Sequence, residues 1–491
     1  MTPEVALTVT MIVALIADLI FRRSPVVVAG LAVAGLIVTG GFVLGQTGAH
    51  ASIFSGMLAV DPFAWFFKLI ILLSALLVAV FSLGSAELNS PGRKVGEYYV
   101  LLIAVTLGIM LMAGANNMLM MYLAIELSSI SSYILSGYTR EAPDASEASL
   151  KYVIFGAVSS GLMIYGISLI YGLTGSLSFA EINRALPAVL ARGDTATFAL
   201  VMAGILVFAG FGYKISAVPF HFWAPDVYEG APITIAAFLS VASKAGGFAL
   251  MIRFFKVTFI DTAVVALPAG SWAVLAGFDW RQVVVLLSVL TMTIGNLVAI
   301  WQNNLKRLLA YSSIAHAGYM LMGLVVLSND GISAIMLYFV IYLFMNLGAF
   351  YVVMLIANKT GSEDIEDYKG LGARAPFLTV ALAIFLISLT GLPPTAGFIG
   401  KLYLFAALLN HGWVWLAVVG ALNSVIALYY YVRVLRNTFL RSAQQPGPAL
   451  ETSRLEGVLV LVMLVPTLVL GLYFTPLVQL AQASVKIFGT P

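Results

Sequence analysis

The chain reads as an all-α polytopic membrane protein of about fourteen transmembrane helices, with two inverted five-helix repeats and broken helices 7 and 12. Three observations lead there. Hydrophobic residues make up 61% of the 491 positions and charged residues only 10%, where a water-facing globule of this size carries about 25%. Apolar runs of about 20 residues recur from end to end, the length a helix needs to cross a bilayer. Prolines interrupt two of these runs, each time near a lysine that no loop claims: "FGYKISAVPFHFW" and "LTGLPPTAGFIGK".

Hydropathy places the spans at about 4–21, 26–45, 63–83, 98–114, 116–136, 152–173, 198–220, 232–255, 282–301, 305–327, 332–357, 376–409, 413–433 and 457–474. "MTPEVALTVTMIVALIADLIF" lacks a basic leader and a small-residue cleavage site, so it is expected to be a first spanning helix. The twelfth run is too long for one crossing and should break at Pro393 and Pro394; the seventh should break at Pro219. Freed backbone groups survive inside a membrane only where they line protein or water, so both breaks mark polar cavities.

Basic residues set an expected orientation. With the N-terminus outside, the inside loops hold fourteen: Arg22, Arg23, Arg93, Lys94, Arg140, Lys306, Arg307, Lys359, Lys369, Arg374, Arg433, Arg436, Arg441 and Arg454. The outside loops hold six: Arg184, Arg192, Arg253, Lys256, Arg281 and Lys486. The positive-inside rule therefore puts both termini outside.

Five lysines fit no loop: Lys68, Lys151, Lys214, Lys244 and Lys401. Among the acids, only Asp18 and Glu126 fall inside expected spans. Asp18 reads as an interfacial partner of Arg22 one turn on. Lys68 reads as a residue that snorkels to the outer interface, and Lys151 opens span six. Lys214, Lys244, Lys401 and Glu126 stand near the middle of their spans. A charge there costs several kcal/mol unless paired or hydrated, and three lysines cannot all pair with one carboxylate. Lysine releases its proton near pH 10.4 in water, and burial lowers that value by as much as about 3–5 units. A carboxylate about 4 Å away, at an effective dielectric of about 20, restores roughly 4 kcal/mol. Making or breaking one Glu–Lys contact thus switches a buried lysine between holding and releasing a proton, and a row of such groups is a proton relay.

Spans 4–8 and 9–13 would be the repeats, inverted because each holds an odd number of crossings. That divides the chain into 1–97, 98–256, 281–437 and 457–491, and sets Glu126 opposite His316, a candidate relay histidine. Asp226 and Glu229 of "APDVYEGAP" read as turn or cap residues. The serines around Glu126 can hold water or bond the helix backbone. There is no cysteine, and the four histidines are scattered, which excludes thiolate metal and iron–sulfur ligation on this chain. No phosphate-binding glycine loop is present.

Several long stretches carry a resemblance: "EASLKYVIFGAVSSGLMIYGISLIYGLTG", "GFGYKISAVPFHFWAPDVYEGAP", "SVASKAGGFALMIR", "NNLKRLLAYSSIAHAGYMLMGL", "YLFMNLGAF" and "LTGLPPTAGFIGKLYLF". They resemble the subunit N family of bacterial NADH–quinone oxidoreductase (respiratory complex I), antiporter-like membrane subunits. The resemblance implies a proton-translocating subunit of a translocase, embedded in the lipid bilayer of a bacterial inner membrane. Neighbouring antiporter-like membrane subunits would be its partners, with FMN, iron–sulfur clusters and quinone on partner subunits and no cofactor here. It implies a helix-five glutamate at Glu126 acting with a helix-seven lysine at Lys214, and a central lysine at Lys244. It also implies an exit-side lysine at Lys401, a helix-six lysine at Lys151 and an axis residue at His316. Multi-subunit cation/proton antiporters and the equivalent subunit of ferredoxin-dependent photosynthetic complexes share these features and stand as alternatives. A solute permease is disfavoured, since the buried polar groups form a titratable line rather than a pocket.

Overall fold

The computed structural model describes residues 1–21, 25–90, 95–262, 264, 267–268, 270–275, 277–442 and 448–486. The chain opens with α1 (Thr2–Ile20), α2 (Pro25–Leu44) and a small hairpin, β1 (Ala51–Ile53) with β2 (Leu58–Val60). The long helices α3 (Pro62–Leu83), α4 (Val95–Gly114), α5 (Met118–Ser136) and α6 (Pro143–Thr174) follow, then a short α7 (Phe179–Leu190). Next come α8 (Asp194–Ile215), α9 (Trp223–Gly230) and α10 (Ile233–Phe238), which runs through a π turn (Leu239–Ser243) into α11 (Lys244–Thr258). A second hairpin, β3 (Ile260–Asp261) with β4 (Ala273–Val274), leads to α12 (Arg281–Ala299), α13 (Leu305–Val325) and α14 (Asn329–Thr360). The chain closes with α15 (Leu371–Arg374), α16 (Pro376–Thr390), α17 (Ala396–Asn410), α18 (Val414–Leu440), α19 (Arg454–Leu472) and α20 (Thr475–Val485).

Thirteen of these segments are long and apolar enough to cross a membrane. The fourteenth crossing is shared by α16 and α17, fifteen residues each, which meet at the expected break. Span six begins nine residues earlier than hydropathy suggests, because Pro143 starts the helix at its first turn. Side-chain caps fix several starts. Asp61 accepts from Ala64 N at 2.8 Å, Asn117 from Leu119 N at 2.8 Å, Asn304 from Arg307 N at 3.1 Å and Ser328 from Gly331 N at 3.2 Å. The centre of the bundle is the α10–α11 span, α13 and α14, whose apolar windows are 100%, 94% and 89% buried; α1 and α19, at 28% and 22%, form the rim.

The two halves repeat in detail. α6 and α14 each have 32 residues and each end on a left-handed glycine, Gly175 (φ 74°) and Gly361 (φ 71°). Just before each glycine, a threonine hydroxyl bonds forward (Thr174 to Ser176 O, Thr360 to Ser362 O), and just after it a serine hydroxyl bonds an acid, Ser176 to Glu181 and Ser362 to Asp367. Each turn then pairs with a cap asparagine: Asn117 with Ser178, Asn304 with Asp364. Five crossings separate the two caps, so these matching turns lie on opposite faces. The face bearing loops 137–142, 300–304 and 361–375 is called the basic-loop face below.

Counting from the matched caps corrects one correspondence. Nine residues past Asn117 stands Glu126, but nine past Asn304 stands Ser313; His316 matches Ser129. The hydropathy limits were too loose to set the register within one turn. The glycines support the cap register. A Cβ on Gly108 would lie 2.7 Å from Ser128 N and one on Gly295 2.8 Å from Ala315 N, and both contacts fall eleven residues past a cap.

Candidate functional site

Lys214 occupies the last turn of α8 and is buried. The helix stops one residue later, where Ser216 turns left-handed (φ 58°). The Lys214 ammonium donates to Ser128 Oγ on α5 at 2.6 Å, and Ser128 donates to Ile125 O at 2.9 Å. Glu126, half-buried two residues away, accepts from the hydroxyl of Ser160 on α6. Glu126 and Lys214 make no ion pair within 4.0 Å, although the carboxylate's charge acts on the lysine. The expected Glu–Lys contact is therefore open here, each partner parked on a serine. Of the serine cluster, Ser131 and Ser132 bond the helix backbone, at 3.0 Å to Leu127 O and 2.6 Å to Ser128 O, while Ser128 holds the ammonium.

Lys244 follows the π turn directly and donates to Ser313 O at 2.7 Å. π turns leave irregular backbone and recur at functional sites. His316 Nδ1 shares a hydrogen bond with the Tyr338 hydroxyl at 2.7 Å, its ring 5.1 Å from Tyr342 and 5.7 Å from Tyr319. Lys401 donates to Thr390 O at 2.7 Å and Ser424 Oγ at 3.0 Å, and lies 4.4 Å from the centre of the Tyr319 ring. Thr390 is the last residue of α16, so the broken helix supplies the carbonyl that binds the lysine of the next half-helix. Ser313, His316 and Tyr319 occupy successive turns of α13. One helix thus lines up Lys244, the histidine and Lys401.

Lys151 stands apart. It pairs with Asp226 at 2.5 Å and Glu147 at 2.7 Å, while Arg307 pairs with Asp226 and Glu229, each at 2.6 Å. Asp226 and Glu229 are therefore ion-pair partners rather than turn or cap residues, holding α9 to α6 and α13. Burial pushes the Asp226 carboxyl up, but its bonds to Lys151 and Arg307 outweigh this and hold it below the usual range.

Other charges differ from expectation. Lys68 does not snorkel: it is buried and pairs at 2.5 Å with Glu4, a buried acid inside α1 that the span count overlooked. Arg253 is not a loop residue but lies buried in α11, held by both oxygens of Asp61 at 2.7 and 2.9 Å. Lys256, in the same helix, sits 3.7 Å from the centre of the Trp272 ring. Lys306 is buried and pairs with Glu363 at 2.8 Å, beside a cleft of about 480 Å³ lined in part by Glu87, Asn304 and Glu363. Burial pushes the Glu363 carboxyl up, and Lys306 offsets this only in part. The "VDPF" cap signature could have flagged Asp61; nothing local marks Glu4 or Glu363 as a partner. Asp18 is half-buried against Gly96, and its expected partner Arg22, like Arg23, Arg93 and Lys94, lies outside the described residues. Among the described residues no group of three or more His, Cys, Asp or Glu is gathered as a metal site.

Residues 115–427 match the family described as "NADH:quinone oxidoreductase/Mrp antiporter, TM". The chain is 49% identical to NADH-quinone oxidoreductase subunit N 2 of Chloroherpeton thalassium, over 99% of this chain and 94% of that protein. It is 46% identical to NADH-quinone oxidoreductase subunit N of Chlorobium chlorochromatii over the same shares. A chain of respiratory complex I from Thermus thermophilus superposes with a TM-score of 0.78 at 30% identity, covering 98% of this chain and 99% of that one. A chain of the Mrp complex from Dietzia superposes at 0.80 with 21% identity, covering 99% and 97%, a likeness of fold alone.

Proposed function

The chain belongs to the NADH:quinone oxidoreductase/Mrp antiporter membrane-subunit family, and on that premise we propose how its buried charges move protons. It is a multi-pass membrane subunit of an NADH–quinone oxidoreductase, one of several membrane subunits in that complex, and an antiporter-like proton translocator. The relay runs from Glu126 and Lys214 through Lys244 and His316 to Lys401. One observation carries this reading: three successive turns of α13 bring together Lys244, His316 and, through the Tyr319 ring, Lys401. Lys214 leaves Ser128 for Glu126 when the carboxylate's charge prevails, and returns when it does not. Lys151 acts at the entrance, in the charge cluster on α9, rather than in the buried row. Both termini face outside, and the two repeats run over 98–256 and 281–437. FMN, iron–sulfur clusters and quinone are held by partner subunits.

Lys214→Ala in the assembled complex should lower the protons pumped per electron strongly while quinone reduction and assembly persist. Inverted membrane vesicles carrying that variant and acidifying at the wild-type ratio would sink the relay. Lys214→Arg should fail likewise, because guanidinium does not release a proton. Sodium-dependent transport in the same vesicles would move the assignment toward cation exchange.

A further inference from the structure

A row of groups that exchanges protons with one side of a membrane must be insulated from the other, or the gradient runs back through it. In the second half, Lys401 lies beside a run of buried hydroxyls that climbs toward the basic-loop face: Tyr319, Tyr430, Tyr431 and Ser312. Tyr431 and Ser312 are hydrogen-bonded to each other. Ser312 stands seven residues from the start of α13, about 10 Å by helical rise. Hydroxyls pass protons along a hydrogen-bonded chain, since each is donor and acceptor at once.

Two amides interrupt that run. Asn296 of α12 donates to the Tyr319 hydroxyl at 3.1 Å and to Asn423 Oδ1 of α18 at 3.2 Å, and accepts from the Tyr430 hydroxyl at 3.0 Å. Asn423 donates to Thr293 Oγ1 at 3.2 Å and to Val419 O at 3.0 Å. Both amides are buried and all four of their N–H groups are engaged. A carboxamide neither gains nor loses a proton near neutral pH, so it can hold the hydroxyls on either side without passing a proton between them. One layer nearer the basic-loop face, Arg433 donates to Ile300 O at 2.8 Å and to Gln302 O. Guanidinium is equally unable to release a proton.

We propose that the Asn296–Asn423 amide pair is a proton insulator that separates Lys401 from the basic-loop face. The matched position in the first half supports this. Asn296 is the residue after Gly295 and corresponds to Ile109, after Gly108. Ile109 packs against Gly246, two residues past Lys244. At this matched position the first half thus carries an apolar side chain and the second an amide, neither of which releases a proton. An apolar residue at position 296 would leave the Tyr319 and Tyr430 hydroxyls without the partner they now share, which explains the amide. Hydrogen-bond direction and electrostatic barriers, rather than pore width alone, govern proton exclusion in membrane channels.

The inference rests on the proton-translocation reading and is tested separately from it. The assembled complex carrying Asn296→Asp is reconstituted into liposomes, and the decay of an imposed pH gradient is followed without NADH. The carboxylate keeps the amide's shape and adds a site that takes and gives a proton. Decay should be several-fold faster than in wild type, and the protons pumped per electron should fall while quinone reduction continues. Asn423→Asp, on the other helix, should act in the same way. Asn296→Leu is the packing control and should leave assembled complexes proton-tight. Wild-type decay and pumping with either aspartate variant overturn the insulator, as does a leak of equal size with leucine. The relay itself fails on a different result, normal pumping by Lys214→Ala.

Discussion

Asp61 does two jobs with one carboxylate: it caps α3 through Ala64 N and holds the buried Arg253 of α11 with both oxygens. Removing one partner of a buried pair leaves an uncompensated charge, which costs about 3–5 kcal/mol. Asp61→Ala should therefore lower the thermal stability of the subunit sharply, read as earlier loss of assembled complex on heating. Burial pushes this carboxyl up, but the Arg253 guanidinium, with the Ala64 N–H and Lys68 adding to it, holds it below its ordinary value. A depressed carboxyl contributes stability above its unfolded value and loses it as pH falls through the folded one. The Asp61 contribution should accordingly survive acidification from about pH 7 to about pH 5. Loss of that contribution within this window would show that the pair is not charged as described. At the same scale, Lys214 rests on Ser128 and Glu126 on Ser160, so the proposed relay requires the lysine to leave its serine for the carboxylate.

The broken helices act as elements rather than as defects. In the twelfth span the break exposes Thr390 O to Lys401. In the seventh the indole of Trp223, the first residue of α9, donates to Tyr213 O at 3.2 Å, so the second half-helix satisfies a carbonyl of the first. α9 has only eight residues, too few to be stable alone, and it is held at its rim by Asp226 and Glu229. Partly exposed pairs of this kind are worth up to about 1 kcal/mol each. Asp226→Asn weakens two of them, and backbone amides of 223–230 should exchange with deuterium several-fold faster while those of α13 do not change. Unaltered exchange in α9 would mean that the ion pairs do not set its position. The cluster joins α6 and α9 to α13, the helix that brings Lys244, His316 and Lys401 together.

Across the whole molecule the proposed relay is a series, with Lys214 in the first half, Lys401 in the second and α13 between them. Groups that act as a unit are not additive on mutation. Lys214→Ala and Lys401→Ala together should thus reduce protons per electron no further than the more severe single change, measured in the same vesicles. A double variant that loses the sum of the two would point to parallel routes. Much of this arrangement was legible in the amino-acid sequence. Bilayer thickness forces runs of about 20 apolar residues, prolines break helices, and lysines are too costly in lipid to be there by accident, so fourteen crossings, both breaks and the candidates Lys214, Lys244 and Lys401 follow from residue order alone. The partners of those charges did not follow. Glu4 with Lys68, Asp61 with Arg253, and Asp226 with Lys151 are joined from positions 64, 192 and 75 residues apart, and no local pattern encodes such a pairing. The register of the repeats also needed the matched caps, because hydropathy is blind to a shift of one turn. The sequence by itself determined which groups are too expensive to leave unpaired. Only the tertiary structure decided which neighbour meets each of them, because that depends on how helices far apart in the chain come to pack.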